Sequence, residues 1–302
     1  MTAADGPAQV SRTEAVEAAL DTLAAAPGSL LVVADFDGTL AIGSRDPGVA
    51  SIEPLAKRGL RALARVAAEQ PGRVHVAVLT GRVVSDVAAR VRVGGVEYHG
   101  DHGLEHGVLA RRGRPERLLV TTDPAFDAHR DPAEVLAVGV AAELGHPGWL
   151  FVERKGPSVA FHVRQADDVA LARTAVVDAI ASVETRAGLD HGLAHYRGRS
   201  VVDLRPADAG GKREAVERLI DRHRPGGVVV LGDELSDVDA FEAVIASRRR
   251  LVGVTVAVHG ATRSAPAELR ALADLCLAGP REVGRLLVGL GRRLEASRPR
   301  TG

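Results

Sequence analysis

Two carboxylates, Asp35 and Asp37, follow directly on a run of apolar residues and open the segment Asp35-Phe36-Asp37-Gly38-Thr39. Negative charge crowded into so small a space is costly unless a cation offsets it, and oxygen donors favour a hard ion such as Mg2+. With that charge balanced, Asp35 can attack phosphorus and carry it as an aspartyl-phosphate. Asp37 is near enough to give a proton to a leaving oxygen and take one from incoming water. Other readings of the same residues stay open. Asp37-Gly38 is a strong turn dipeptide. A calcium loop counted from Asp35 asks for glycine at its sixth position, where this chain has Leu40, and for a helix ahead of it rather than a strand.

Three further groups have the chemistry to serve such a site. Thr80, with Gly81, offers a hydroxyl and a backbone amide of the kind that hold phosphoryl oxygens, although threonine is also a common helix cap. Lys212 follows two glycines and begins a helical pattern, which suits a positive charge aimed at a phosphate or, failing that, a solvated lysine. It does not belong to a P-loop, because Pro206 and Arg213 stand where that motif needs glycine and a hydroxyl residue. Gly232-Asp233-Glu234 with Asp237 gathers three acids at a turn. Asp233 reads as the third protein ligand of the metal after Asp35 and Asp37. Asp237, and Glu234 beside it, read as groups behind the ligands that orient Lys212 or a metal-bound water, with simple helix capping as the alternative for Asp237. His99, His102 and His106 suggest zinc by their spacing, but Gly100, Gly103 and Gly107 oppose the helix that would align them.

The elements around these residues explain why they belong together. Residues 13–26 read as an amphipathic helix stopped by Pro27-Gly28, and residues 30–34 as a wholly apolar strand of the kind buried in a parallel sheet. A helix over 53–70, a strand over 74–79, a helix over 83–91, a helix over 211–223 and a strand over 228–231 follow, with 251–258 the clearest strand beyond. Such alternation predicts an α/β fold: a doubly wound parallel sheet, Rossmann-like, with ligands at the carboxyl ends of its strands. Asp35, Thr80 and Asp233 all fall at such ends. Residues 108–207 have a different texture. Runs at 118–120, 149–152 and 158–163 read as antiparallel strands, and 132–144 and 168–186 as helices. An α+β domain over 108–207 is therefore expected to interrupt a core made of 1–107 and 208–302.

Whole-chain properties narrow the partners. The chain has 302 residues and is 46% hydrophobic, enough for proper cores, and its 39 basic residues balance its 39 acidic ones. No global field draws it to nucleic acid or to an anionic membrane, and no apolar stretch approaches the roughly 20 residues that span a bilayer. The one cysteine, Cys276, sits in an apolar run and is read as core; it allows no internal disulfide. With no signal-like N-terminus, the cytoplasm is the expected location.

The order Asp35-Phe-Asp-Gly-Thr-Leu, Thr80-Gly-Arg, Lys212 and Gly232-Asp-Glu-Leu-Ser-Asp resembles the four motifs of the haloacid dehalogenase superfamily of phosphotransferases. Within it the chain is most similar to the trehalose-6-phosphate phosphatase family. Asp46-Pro47 with Ala50, His102-Gly103-x-Glu105, and Glu153-x-Lys155-x-x-Ser158-x-x-x-His162-x-Arg164 match that family's further signatures, as do 198–206 and 237–241. The resemblance implies a C2-type cap that closes over the core and presents a sugar phosphate, with Mg2+ as cofactor and hydrolysis of trehalose 6-phosphate as the activity. It also implies Arg82, His102, Glu153, Lys155, His162, Arg164 and Asp203 as substrate-binding residues. Glu153, Lys155, His162 and Arg164 supply the paired donors and acceptors that a disaccharide needs. Departures are also present: the family usually has glutamate at Asp203, Lys-Gly at Lys212-Arg213, and a further Asp at Glu234. They leave open a relative acting on a pseudo-disaccharide phosphate, sucrose phosphate or mannosyl-phosphoglycerate, or a non-catalytic sugar-phosphate sensor.

Overall fold

The computed structural model describes residues 11–42, 47–189, 192–197, 200–260 and 264–297. Asp46, part of one family signature, lies outside them. In chain order the elements are α1 (Thr13–Ala24), β1 (Leu30–Ala34), α2 (Pro54–Glu69), β2 (Val74–Leu79), α3 (Val84–Val91), β3 (Val96–Gly100), β4 (Glu105–Leu109) and β5 (Thr121–Thr122). There follow α4 (Arg130–Glu143), β6 (Phe151–Arg154), β7 (Val159–His162), α5 (Val169–Ala187), β8 (Leu193–Arg197) and β9 (Val201–Pro206). The chain continues through α6 (Lys212–His223), β10 (Gly227–Gly232), α7 (Ser236–Ser247), β11 (Val252–Val258), α8 (Ala267–Ala271), β12 (Leu275–Leu277) and α9 (Pro280–Ala296).

The chain divides into two units. In the first, strands run in the order β12-β11-β10-β1-β2-β3-β4-β5. The six from β12 to β3 are parallel, and β4 returns antiparallel beside β3. Every residue of β1 is buried, because both of its faces are covered. Leu30, Val32 and Ala34 pack into the core that also holds Leu60 and Leu63 of α2 and Leu287 and Leu290 of α9. Leu31 and Val33 point the other way, against Val216 and Leu219 of α6 and Phe241 and Val244 of α7. Each large apolar side chain so buried contributes about 1.5–3 kcal/mol. These two layers hold the central strands in register, with Ala34 opposite both Leu231 and Val78. The residues just after β1, β2 and β10 therefore emerge along one edge.

The second unit places α4 and α5 on one face of an antiparallel sheet ordered β6-β7-β9-β8. Val159, Phe161, Val202 and Leu204 face those helices. By strand alternation Glu153, Ala160, His162, Asp203, Arg205 and Tyr196 line the other face. Asp168 caps α5 by accepting from the amides of Ala170 and Leu171.

Two expectations change. The core does not end at residue 107: β4 pairs with β3, Val108 lying opposite Glu97, so the first unit continues to Thr121, and it resumes at Gly211 rather than 208. The run 118–120 forms no strand, since Thr121–Thr122 makes the pairing instead. The apolar alternation of that stretch carries no information on which sheet it joins. Cys276, read as core, is half-buried and packs against the core that holds Leu31 and Val33, and burial pushes its thiol pKa up. Among the described residues no helix is long and apolar enough to cross a membrane.

Candidate active site

Asp35 leaves β1 with its amide donating to Leu231 O at 2.9 Å, which fixes its backbone to the neighbouring strand. Its side chain is 5% exposed as a residue and accepts a hydrogen bond from Lys212 Nζ at 2.8 Å. Lys212, the first residue of α6, donates also to Asp237 Oδ1 at 2.6 Å. Asp237 in turn accepts at Oδ2 from the amides of Asp233, at 2.9 Å, and Glu234, at 3.0 Å. It thus does two things at once: it aims Lys212 and it shapes the turn after β10. Gly232 is required there, because a Cβ would lie 2.3 Å from Asp237 Cγ.

Asp35, Asp233 and Asp237 are each buried and each offers an oxygen within 4.8 Å of the others. One ammonium cannot balance three carboxylates. Burial lifts the Asp35 carboxyl well above its ordinary pKa, with Lys212 pulling it down and Asp237 and Asp37 pushing it up. For Lys212, burial alone works against the charge, yet Asp237 and Asp35 hold its pKa well above the usual lysine value. The uncompensated charge and the all-oxygen donor set fit a hard divalent cation. Both oxygens of Asp237 are already engaged, so Asp35 and Asp233 are the carboxylates better suited to meet an ion directly.

Thr39 donates to Asp233 Oδ1 at 3.3 Å, and Gly38, at φ +87°, passes so close that a Cβ would lie 2.1 Å from Asp233 Oδ2. Gly38→Ala is expected to cost about 2–3 kcal/mol of stability, from the left-handed backbone and the steric overlap. It should also weaken divalent-ion binding by isothermal titration calorimetry about tenfold or more; parent-like affinity would detach Asp233 from that role.

Asp37 is turned elsewhere. Arg82 donates to it twice, Nε to Oδ2 at 2.5 Å and Nη2 to Oδ1 at 2.9 Å. Arg82 Nη1 reaches Asp86 at 2.8 Å, and Arg90 binds the same Asp86 and the carbonyl of Ala50. Burial alone would lower the Arg82 pKa, but Asp37 and Asp86 raise it. The side chain expected as a metal ligand is therefore paired with the side chain expected to bind substrate. Thr80 is buried, and its Oγ1 accepts from the amide of Arg82 at 3.3 Å. The amide of His102 donates to Thr80 O at 2.9 Å, which ties the 101–103 turn to the same strand end.

That turn and the strand after it carry two groups that spacing did not single out, Asp101 and Glu105. Asp101 is fully buried and, with His102, adopts a left-handed backbone at φ 45° and 57°. Two such non-glycine residues in succession mark a segment held by its surroundings. Glu105, present in the family pattern but given no role, accepts from the amide of Val84 at 2.8 Å and caps α3. An acid placed before no helix in sequence offers no local sign of capping one upstream.

In the second unit, Glu153 and His162 meet at 2.9 Å, and Lys155 Nζ reaches Asp203 Oδ1 at 3.3 Å. Arg205 Nε lies 3.2 Å from Asp203 Oδ2, its guanidinium 3.8 Å above the Tyr196 ring. Lys155 and Asp203 are buried, whereas Arg164 is exposed in the turn after β7. Lys155 and Asp203 thus form a buried ion pair. The sheet register brings Glu153, Ala160 and Asp203 into one row across three strands.

The trehalose-phosphatase family model matches residues 33–273. A trehalose-phosphate phosphatase of Mycobacterium avium (strain 104) is 36% identical over 221 residues, covering 70% of this chain and 50% of that one. An uncharacterized glycosyl hydrolase, Rv2006 of Mycobacterium tuberculosis (strain H37Rv), is 35% identical over 245 residues, or 78% of this chain and 17% of that protein. The chain thus spans half or less of the length of these curated relatives. Among solved structures, the C-terminal domain of Candida albicans trehalose-6-phosphate phosphatase superposes with a TM-score of 0.71 at 19% identity, over 95% of this chain and 99% of that one. The C-terminal domain of the Candida albicans trehalose synthase regulatory protein does so at 0.64 and 14%, over 94% of this chain and all of that one. These two structural likenesses describe the fold.

Proposed function

The chain belongs to the trehalose-phosphatase family, and from that premise we propose that it hydrolyses trehalose 6-phosphate to trehalose and inorganic phosphate through an aspartyl-phosphate on Asp35. The observation that carries this reading is the buried set of Asp35, Asp233 and Asp237 around a single lysine. So much buried negative charge is unfavourable in an idle scaffold and useful where a cation and a phosphate must meet.

Asp35 and Asp233, with Asp37 beside them, would hold Mg2+, which when bound offsets the repulsion between the phosphate and its nucleophile. Asp35 attacks phosphorus and the bond to the sugar oxygen breaks as Asp37, protonated and released from Arg82, gives that oxygen its proton and becomes a carboxylate. In the second step Asp37 takes a proton from water as the water oxygen attacks phosphorus, and Asp35 is released as a carboxylate. Arg82 orients Asp37 by two hydrogen bonds. Asp37 must leave that pair to reach the sugar oxygen, and its side chain is 35% exposed, so it has room to do so. Thr80 and Lys212 complete the phosphate cradle, with Glu234 and Asp237 behind them. Arg82, His102, Glu153, Lys155, His162, Arg164 and Asp203 are proposed to contact the substrate. Four of these hold one another, Glu153 with His162 and Lys155 with Asp203, and each pair has to open to contact sugar hydroxyls directly.

A second substrate reading has one specific observation in its favour. Asp203, shorter by a methylene than the glutamate usual in the family, is committed to Lys155 and Arg205, which changes the hydroxyl it is able to reach. A phosphate-release panel of trehalose 6-phosphate, sucrose phosphate, mannosyl-phosphoglycerate and a pseudo-disaccharide phosphate separates the two. The expected kcat/KM for trehalose 6-phosphate exceeds the others by about 100-fold, since an unpaired buried polar group penalises the wrong sugar. Faster turnover of any other member overturns the assignment of substrate while leaving the phosphatase chemistry in place.

A further inference from the structure

We propose that His75, Glu97 and His223 form a second metal site, for a borderline transition ion of the zinc class. The three come from β2, from β3 and from the last residue of α6, and no spacing in the sequence links them. Their ligand atoms lie within 4.8 Å of one another. The site lies well away from Asp35: α6 alone, with Lys212 at one end and His223 at the other, is roughly 16 Å long at 1.5 Å per residue.

Three features favour an ion over a simple ion-pair cluster. His223 Nε2 approaches Glu97 Oε1 to 2.7 Å, yet this buried nitrogen makes no properly aligned hydrogen bond. Two donors side by side and not aimed at each other suit convergence on a third centre. The His75 and His223 rings stack at 3.9 Å with 23° between their planes, an arrangement unfavourable for two imidazolium ions and suited to neutral imidazoles, the form that binds metal. Finally, all three residues are only partly buried, which leaves an ion a route from solvent.

Two nitrogens and one carboxylate, with water in the fourth position, make a donor set typical of zinc, unlike the all-oxygen set at Asp35. Other groups face Glu97. His99 Nε2 lies 3.6 Å from its Oε2 with the His106 ring stacked beyond, and Arg222 Nη1 lies 3.3 Å from the same oxygen. Arg222 is the group that opposes a bound cation, and its side chain, half exposed, can swing into solvent. His99 and His106, which their spacing had grouped with His102, pair across β3 and β4 beside this cluster.

The test is a Co2+ titration of the full chain, without a histidine tag, at pH 7.5 in excess Mg2+ to occupy the oxygen site. Visible absorption typical of four-coordinate Co2+ should saturate at one equivalent and vanish on addition of Zn2+. His75→Ala with His223→Ala should weaken binding by more than about 100-fold. His75→Gln, milder for folding, should weaken it in the same direction, and Asp233→Asn should leave it unchanged. Absence of the signal, its survival in both histidine variants, or its loss in Asp233→Asn would overturn the site. None of these readouts depends on phosphatase turnover, so the site and the proposed activity stand or fall separately.

Discussion

Asp35→Asn is expected to lower the rate of phosphate release by about 10^4-fold or more, because an amide cannot take over a carboxylate's attack on phosphorus and removing a nucleophile costs effects of this order. The fold should survive. Asp35 shares its burial with Asp233 and Asp237, and its carboxyl pKa is raised chiefly by that burial. A carboxyl whose pKa is higher in the folded than in the unfolded chain weakens the folded state once the pH climbs above the unfolded value. Neutral asparagine removes that penalty. The melting temperature in a chelator at pH 7.5 should therefore equal or exceed the parent's, measured by calorimetry beside a phosphate-release assay. Parent-like turnover would reject Asp35 as nucleophile; loss of turnover with a fall in melting temperature would mean that the side chain serves the fold.

Lys212→Met is the second large effect, and its signature is different. Lys212 is 4% exposed and binds Asp35 and Asp237 together. Taking away the cation leaves its partners buried and uncompensated, at a cost of about 3–5 kcal/mol. Turnover should fall by about 10^2–10^3, the usual loss for one group that stabilises charge in the transition state. Divalent-ion affinity should rise, since the remaining carboxylates have lost their internal counter-ion. Tighter ion binding with slower turnover separates a local electrostatic role from general unfolding. Weaker ion binding in a folded variant would contradict the arrangement described for Asp35, Lys212 and Asp237.

Much of this site was legible in the chain. The apolar run ending at Ala34 reads as a buried parallel strand, and it is one from end to end. The run from Val74 to Leu79 is a strand too, buried except at His75, and Lys212 does begin a helix. Such features are local: a strand buried on both faces must be apolar throughout, and a break in the pattern marks where the backbone leaves the sheet. Other features were not legible because they join distant segments. Nothing near Asp37 says that it faces Arg82, and nothing in the spacing of Lys155 says that it is buried against Asp203. The boundary expected at 108 failed because β4 alternates like any antiparallel strand, whichever unit it pairs with.

The sequence by itself determined the types and order of the chemical groups: a carboxylate pair after one strand, a hydroxyl after another, a lysine at a helix start and an acid after a third strand. Only the tertiary structure decided which of them meet. Strand order set Asp35 between the ends of β2 and β10, and the packing of α6 against that sheet brought Lys212 onto Asp35 and Asp237. The same packing set His223 beside His75 and Glu97 at the other end of α6. Local periodicity records what each segment must bury. Partnership depends on how the buried faces stack, and that is settled by the core as a whole.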